Sequence, residues 1–107
     1  MLRNPGARSF VFVILALYCA AGYAQGKGEE TYKAHCQSCH GSSGMADTGP
    51  GRVTKTLPVT APELKSRTLA EMINYTRDGK DRMRGFEGKL TDEEIKASVM
   101  YFRSLIR

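Results

Sequence analysis

The chain has 107 residues, of which 41% are hydrophobic and 25% charged, and its formal net charge is +5 at pH 7. This length predicts one small domain. The positive charge is mild and forms no dense Lys/Arg patch, which argues against a nucleic-acid partner.

Residues 1–24 are predicted to be a secretory signal peptide. Two arginines give a basic start, an unbroken apolar run covers 10–18, and small residues follow as far as Ala24. The run is shorter than the roughly 20 residues of a membrane span. Cleavage after Ala24, or after Ala21, is therefore favoured over the alternative of an uncleaved anchor, and no stable membrane insertion is expected.

The remaining residues, 25–107, form the predicted folded domain. The 16 basic residues less the two in 1–24 leave 14, against 11 acidic residues, so this part carries +3. A domain of about 80 residues buries a thin core and usually needs a further cross-link. Once Cys19 is removed, Cys36 and Cys39 remain. A disulfide between them would close a very short loop and stabilise little, so a bound group is expected there instead.

The first predicted helix covers 27–34 and leads directly into the two cysteines. The next stretch, 41–62, is rich in Gly, Pro and Thr and shows no clear period. A loop of this length is unusual in so small a domain. It is expected to wrap a group that the polypeptide does not itself provide.

Two further helices are predicted from the same start signal. Thr68 followed by Glu71, and Thr91 followed by Glu94, are capping boxes. Gly79 is expected to end the first of these helices. Apolar positions recur at helical spacing in both helices: Leu69, Met72, Ile73 and Thr76, then Ile95, Val99, Phe102 and Ile106. Since no alternating strand pattern occurs, the predicted fold class is all-α.

The segment that indicates a chemistry is Cys-Gln-Ser-Cys-His over 36–40. Two residues between the cysteines let both sulfurs reach one flat partner from the same side of a helical turn, and the following imidazole projects toward its centre. This spacing is typical of a haem held by two thioether bonds. We therefore predict one covalent haem c bound through Cys36 and Cys39, with His40 as the proximal axial ligand of its iron.

Two other uses of these cysteines are less consistent with the sequence. A thioredoxin-like redox pair has no use for the histidine and expects a βαβ context that is missing. A structural zinc site needs four ligands converging from two separate places. Here His35, Cys36, Cys39 and His40 all lie within six residues, and the sequence contains no second cluster.

Over nearly all of 25–107 the chain resembles the small bacterial class I c-type cytochromes. Gly28 and Tyr32 precede Cys36 by eight and four residues, Gly41 follows the histidine, and 90–95 resembles the entry to the family's last helix. The resemblance implies a cytochrome c fold of three to four helices, with long loops around one covalent haem. It also implies that the first and last helices cross closely at the glycine and the aromatic residue.

The sixth iron ligand is expected to be a methionine. Met72 and Met100 lie in predicted helices, where packing or surface roles are favoured, and Met45 follows His40 too closely to reach the opposite haem face. Met83 lies in a loop between helices, 79–86, that resembles the family's ligand loop. The resemblance implies that Met83 is the distal axial ligand, while core packing stays the alternative for it.

Two further residues, Arg84 and Pro50, bear on how firmly these ligands would be held. The family commonly has Pro after the ligand methionine, whereas this chain has Arg84, so the loop has more freedom and the bond from sulfur to iron is expected to be weaker. In the family a Pro in the preceding long loop accepts a hydrogen bond from the proximal histidine. Pro50 is the candidate for that position, with a plain turn proline as the alternative.

These expectations describe a periplasmic one-electron carrier of a bacterium, not itself an enzyme. Lys80, Arg82 and Arg84 flank Met83 and are expected to steer the protein to an acidic patch on a redox partner. Solvated loop charges, or charges that offset the haem propionates, are the alternative for these cations. Two other functions stay open: a haem subunit of a periplasmic dehydrogenase, and a gas-binding or peroxidatic haem protein with a labile sixth ligand.

Overall fold

The computed structural model describes residues 26–107, so the predicted signal peptide lies outside the described residues. Within that range the chain forms six helical segments and no β-strand, which confirms the all-α prediction. In chain order they are α1 over 26–35, α2 Gln37–His40, α3 Gly49–Val53, α4 Pro62–Ser66, α5 Leu69–Asp78 and α6 Asp92–Ser104. Three of them match the predicted helices, and the other three are short segments of four or five residues.

Both predicted capping boxes are formed, and each sets the start of its helix. The Thr68 hydroxyl accepts from the Glu71 amide at 3.1 Å, and the Glu71 carboxylate accepts from the Thr68 amide at 2.8 Å. Thr91 and Glu94 make the same pair of bonds at 3.1 and 3.2 Å. Since these bonds satisfy amides that no helical carbonyl can reach, α5 and α6 begin where the sequence predicts.

The first and last helices cross closely. Gly28 is buried on α1 at a place where a side chain would meet the backbone of α6, its β-carbon lying 2.9 Å from the carbonyl carbon of Ala97. One turn later Tyr32 is 1% exposed and packs against the rings of Tyr101 and Phe102, with centroids 5.1 and 6.2 Å away. The crossing that the family resemblance implied is therefore present.

The main apolar core lies between α5 and α6. Its buried members are Met72, Leu90, Ile95 and Val99, and partly buried side chains that include Leu69, Ile73, Phe102 and Ile106 pack against them. The helical stripes predicted from the sequence supply nearly all of these residues. The core is small. A cavity lies to one side of it, bordered by the segments that connect the helices.

The segment 41–62 is more ordered than its lack of period suggested. It contains α3 and reaches the first residue of α4, and neither short helix was predicted. Tertiary contact accounts for α3: the Thr48 hydroxyl caps it by accepting from the Gly51 amide at 3.0 Å, and the same hydroxyl donates to the Ser38 carbonyl at 2.6 Å. A helix of five residues held by such contacts leaves little periodic signal in a sequence.

No helix among residues 26–107 is both long enough and apolar enough to cross a membrane.

Candidate haem site

A cavity of about 310 Å³ lies beside the core, and a second one of about 70 Å³ adjoins it on the side of α6. The larger cavity is bordered by the end of α1, by α2, by 54–57, by α5 and by 80–84. Cys36, His40 and Met83 line both cavities, and Cys39 lines the larger one. The four residues predicted to hold the haem and its iron thus surround one space.

The cysteines are placed by a helical turn that continues from α1. The Cys36 amide donates to the Tyr32 carbonyl at 2.8 Å, and the His40 amide donates to the Cys36 carbonyl at 3.0 Å. Both thiols are free and partly buried. Burial, and to a smaller extent Cys39, raises the pKa of the Cys36 thiol to about 11. The two sulfurs therefore stand one turn apart on one wall of the cavity, as two thioether bonds to one flat group require.

His40 presents an imidazole to the same cavity and packs against Phe102, with ring centroids 4.9 Å apart. Its Nδ1 atom is buried and has no hydrogen-bond partner among the described residues. Burial holds the pKa of the imidazole below its usual value, which favours the neutral ring that binds metals. A buried ring nitrogen without a partner is costly. An iron in the cavity would be bound through one ring nitrogen while the other donates its hydrogen to an acceptor, and within 26–107 Nδ1 lacks such an acceptor here.

The hydrogen bond predicted between Pro50 and His40 is not formed in this structure. The Pro50 carbonyl accepts from the amide and the hydroxyl of Thr54, at 3.0 and 2.8 Å. Pro50 itself is exposed near the start of α3. That Pro50 accepts a hydrogen bond from the His40 ring stays a prediction, and the geometry here is that of a proline at the start of a helix.

Tyr32 connects the helix crossing to the haem-binding segment. Its hydroxyl donates to the carbonyl of Gly41 at 2.6 Å, and Gly41 is the residue directly after His40. Burial is the main cause that raises the pKa of Tyr32, so the phenol stays protonated and remains a donor. Gly41 has φ +83, and a β-carbon there would lie 2.8 Å from the Asp47 carboxylate. The glycine is therefore needed where the chain turns away from the imidazole.

Met83 lies in a loop that the backbone holds at its base. The amide and carbonyl of Met83 bond to those of Lys80, at 2.9 and 3.0 Å, which makes a tight turn. The Phe86 amide donates to the Thr76 carbonyl at 2.9 Å, and Gly85 lies against the last carbonyls of α5. A loop with these restraints holds its thioether on the cavity although Arg84 stands where the family commonly has proline.

The other methionines are placed as the sequence indicated. Met72 is 5% exposed in the core, and the Arg103 guanidinium donates to its sulfur at 3.6 Å. Met100 is 54% exposed on α6, and Met45 is 39% exposed in the turn after His40. Of these three, Met72 lines the smaller of the two cavities described here, from within the apolar core, and the other two line neither.

His35 is exposed at the end of α1 and packs edge-on against Phe86, with centroids 6.1 Å apart. Within residues 26–107 no three His, Cys, Asp or Glu side chains converge into a direct metal site. The residues that line the cavity instead supply two thiols, an imidazole and a thioether around an apolar space. This donor set fits a covalently bound haem, with Cys36 and Cys39 on its edge and His40 and Met83 as axial candidates.

Tyr75 and Arg67 are among several cavity residues that the sequence did not indicate. Tyr75 lines both cavities, and its ring lies beneath the Arg67 guanidinium at 5.3 Å and the Lys80 ammonium at 4.2 Å. Arg67 precedes the capping threonine and lies in no predicted helix, so periodicity could not assign it to the cavity. Tyr75 stands three residues after Met72 on the same helix, and that spacing was the available signal.

Positive charge surrounds the larger cavity. Five cations line it, and we call them the basic rim: Lys55, Arg67, Lys80, Arg82 and Arg84. Asp81 is the acidic residue among its lining. None of the five forms an ion pair with an acid in 26–107. The basic rim therefore contains the three cations that the sequence indicated around Met83. Lys55 and Arg67 join them from other parts of the chain.

Comparison with known proteins gives consistent results. Residues 24–102 match the family model described as cytochrome c oxidase, cbb3-type, subunit III. A dihydro-heme d1 dehydrogenase of Pseudomonas aeruginosa is 34% identical over 81% of this chain, although the chain spans only 17% of that relative. A cytochrome c6 of Pyropia tenera is 32% identical, over 72% of this chain and 87% of its own length. The solved c-type cytochrome KustC0563 is 29% identical with a TM-score of 0.67, covering 75% of this chain and 98% of that one.

Proposed function

Because the chain belongs to the small class I c-type cytochromes, we propose that it is a periplasmic one-electron carrier and not itself an enzyme. Members of this family bind haem c covalently and take part in electron transfer. When bound, the haem supplies an iron that changes oxidation state by one electron. The finer proposal is that Cys36 and Cys39 hold the haem, with His40 and Met83 as axial ligands.

The observation that carries the proposal is that His40 and Met83 line the same cavity as both cysteines. An imidazole and a thioether as axial ligands raise the reduction potential of a haem. They also fill both axial positions, so no position is left for a substrate. The backbone hydrogen bonds at the base of 79–86 favour Met83 as a stable ligand over Met83 as a labile one.

The absorption spectrum tests this ligand set. The ferric protein is expected to show the weak long-wavelength band of sulfur bound to iron, and the ferrous protein is expected to bind carbon monoxide only very slowly, because the thioether must leave the iron first. Met83→Ala removes the thioether, so the band should disappear and carbon monoxide should bind readily. Met100→Ala removes an exposed thioether from α6 and should leave both readouts unchanged. A wild-type protein without the band that binds carbon monoxide would favour the gas-binding or peroxidatic alternative.

An acidic patch on the redox partner is proposed as the target of the basic rim. Opposite charges accelerate encounter at low ionic strength, and salt screens them over about 10 Å at 0.1 M. The anionic oxidant hexacyanoferrate(III) is a suitable probe. Its reaction with the ferrous protein is expected to slow several-fold between low and high ionic strength, and Lys55→Glu should reduce that dependence.

The control for this test is Lys96→Glu, which makes the same charge change on α6 at an exposed site outside the cavity lining. It should reduce the salt dependence less than Lys55→Glu does. Equal effects of the two variants would assign the dependence to net charge alone. Rates that do not change with ionic strength would contradict electrostatic steering altogether.

A subunit of an enzyme complex is the second candidate function. The matching family model is described as an oxidase subunit, and one relative is a dehydrogenase that is several times longer than this chain. A permanent subunit would have a larger and more apolar interface than a carrier. Co-purification with a second chain at low protein concentration would favour this candidate over the free carrier.

A further inference from the structure

A hydrogen bond between Arg82 and Val53 joins the loop that carries Met83 to the end of α3, 29 residues earlier in the chain. The Arg82 guanidinium donates to the Val53 carbonyl at 2.7 Å. Val53 is the last residue of α3, and the final carbonyls of a helix have no donor within it. Arg82 supplies that donor as a cation, which the negative end of a helix favours.

The α3 side of this link is fixed to the cysteine segment. The Thr48 hydroxyl donates to the carbonyl of Ser38, at 2.6 Å. Gly51 lies so close to the Cys39 carbonyl that no side chain fits, and its β-carbon would be 2.9 Å from the Ala46 carbonyl oxygen. Val53 therefore belongs to a tightly packed unit on the side of the cavity that carries Cys39.

The other side of the link is the tip of the loop that carries Met83. The turn has Asp81 at φ +53, and its base is bonded to the end of α5. Within the described residues, the bond from Arg82 is the one side-chain hydrogen bond that ties 80–84 to the rest of the chain; Lys80 lies over the Tyr75 ring. The lining of the larger cavity includes both 54–57 and 80–84, so the link spans the border of that cavity.

We propose that Arg82 is a positioning residue that holds Met83 on the cavity by tying the tip of its loop to the end of α3. It restrains the loop that has Arg84 where a proline would have stiffened it. The inference rests on the proposed function, because it concerns the thioether proposed as the sixth iron ligand. The Arg82 side chain does not itself contact the iron site in this proposal.

The test replaces the donor with an apolar side chain that carries no sulfur, so that no second thioether is placed beside Met83. Arg82→Leu should retain its haem and its helix content, because the residue is exposed. Without the link, the loop opens more often. The ferrous variant should therefore bind carbon monoxide about threefold to tenfold faster than wild type, in line with the loss of one hydrogen bond. The ferric variant should show a weaker sulfur-to-iron band, and Arg82→Lys, which keeps a cationic donor, should restore part of it.

The matched control is Arg52→Leu, which removes an exposed cation from α3 one residue before the acceptor. It should leave carbon monoxide binding and the band at wild-type values. If Arg82→Leu matches wild type while wild type shows the band and resists carbon monoxide, the positioning role is wrong and the proposed ligand set stands. If wild type itself lacks the band and binds carbon monoxide freely, both proposals are overturned.

Discussion

Replacing both Cys36 and Cys39 with alanine is expected to give a chain that neither holds haem covalently nor reaches the native fold. The cavity that these side chains line measures about 310 Å³, and the apolar core beside it is small. Without covalent haem, the apolar side chains around this space lose the group against which they would pack, and each large side chain left exposed forgoes about 1.5–3 kcal/mol. A few such losses are comparable with the whole stability of a domain, about 5–15 kcal/mol.

The measurements are haem staining of the denatured protein, which reports covalent attachment, and circular dichroism, which reports helix content. The double variant should stain negative and lose most of its helical signal. Ser38→Ala lies between the two cysteines and is exposed, so it should match wild type in both. A double variant that keeps covalent haem and melts at the wild-type temperature would show that the cysteines do not attach it.

Gly28→Ala is expected to produce the second large effect, a loss of about 2 kcal/mol in the free energy of unfolding. A β-carbon on Gly28 would lie 2.9 Å from the Ala97 carbonyl carbon, and that backbone cannot rotate away. Such overpacking costs about 3 kcal/mol, offset by about 1 kcal/mol of gained helix propensity. The melting temperature of the haem-loaded protein should fall by about 10 °C.

Gly26→Ala provides the matched control for this experiment. Gly26 is in the same helix, but a β-carbon there meets no described atom within 4 Å. It should therefore keep or slightly raise the melting temperature through helix propensity alone. Equal melting temperatures for the Gly28 and Gly26 variants would show that the helices do not approach each other closely at residue 28.

The parts of the fold that could be predicted are those that local chemistry determines. Thr68 and Thr91 each have a glutamate three residues later, and both capping boxes form because all their atoms lie within one turn. The spacing of apolar residues likewise placed Met72 and Ile95 in the core. These features need no knowledge of distant residues, so a single sequence contains them.

The parts that could not be predicted depend on contacts across the chain. The five residues of α3 have weak helix propensity, and they are held through Thr48 and Gly51 against the cysteine segment. The bond from Arg82 to Val53 joins a loop to the end of a helix, and no sequence pattern relates the two segments. The sequence alone could not show which donor the Pro50 carbonyl accepts from, because the fold decides that it bonds to Thr54. For the candidate site, the spacing over 36–40 brought the cysteines and histidine together, whereas Tyr75 needed the folded chain.

The crossing of α1 and α6 also determines the order in which the molecule can be assembled. Gly28 and Ala97 meet although most of the described chain separates them, so their contact forms only after α6 has been synthesised. The segment 36–40 emerges much earlier and is accessible while the chain is still open. The cysteine segment is therefore available before the two helices can close over the cavity wall. If the crossing forms after the folding transition state, variants that weaken it should speed unfolding and leave attachment at the cysteines unchanged.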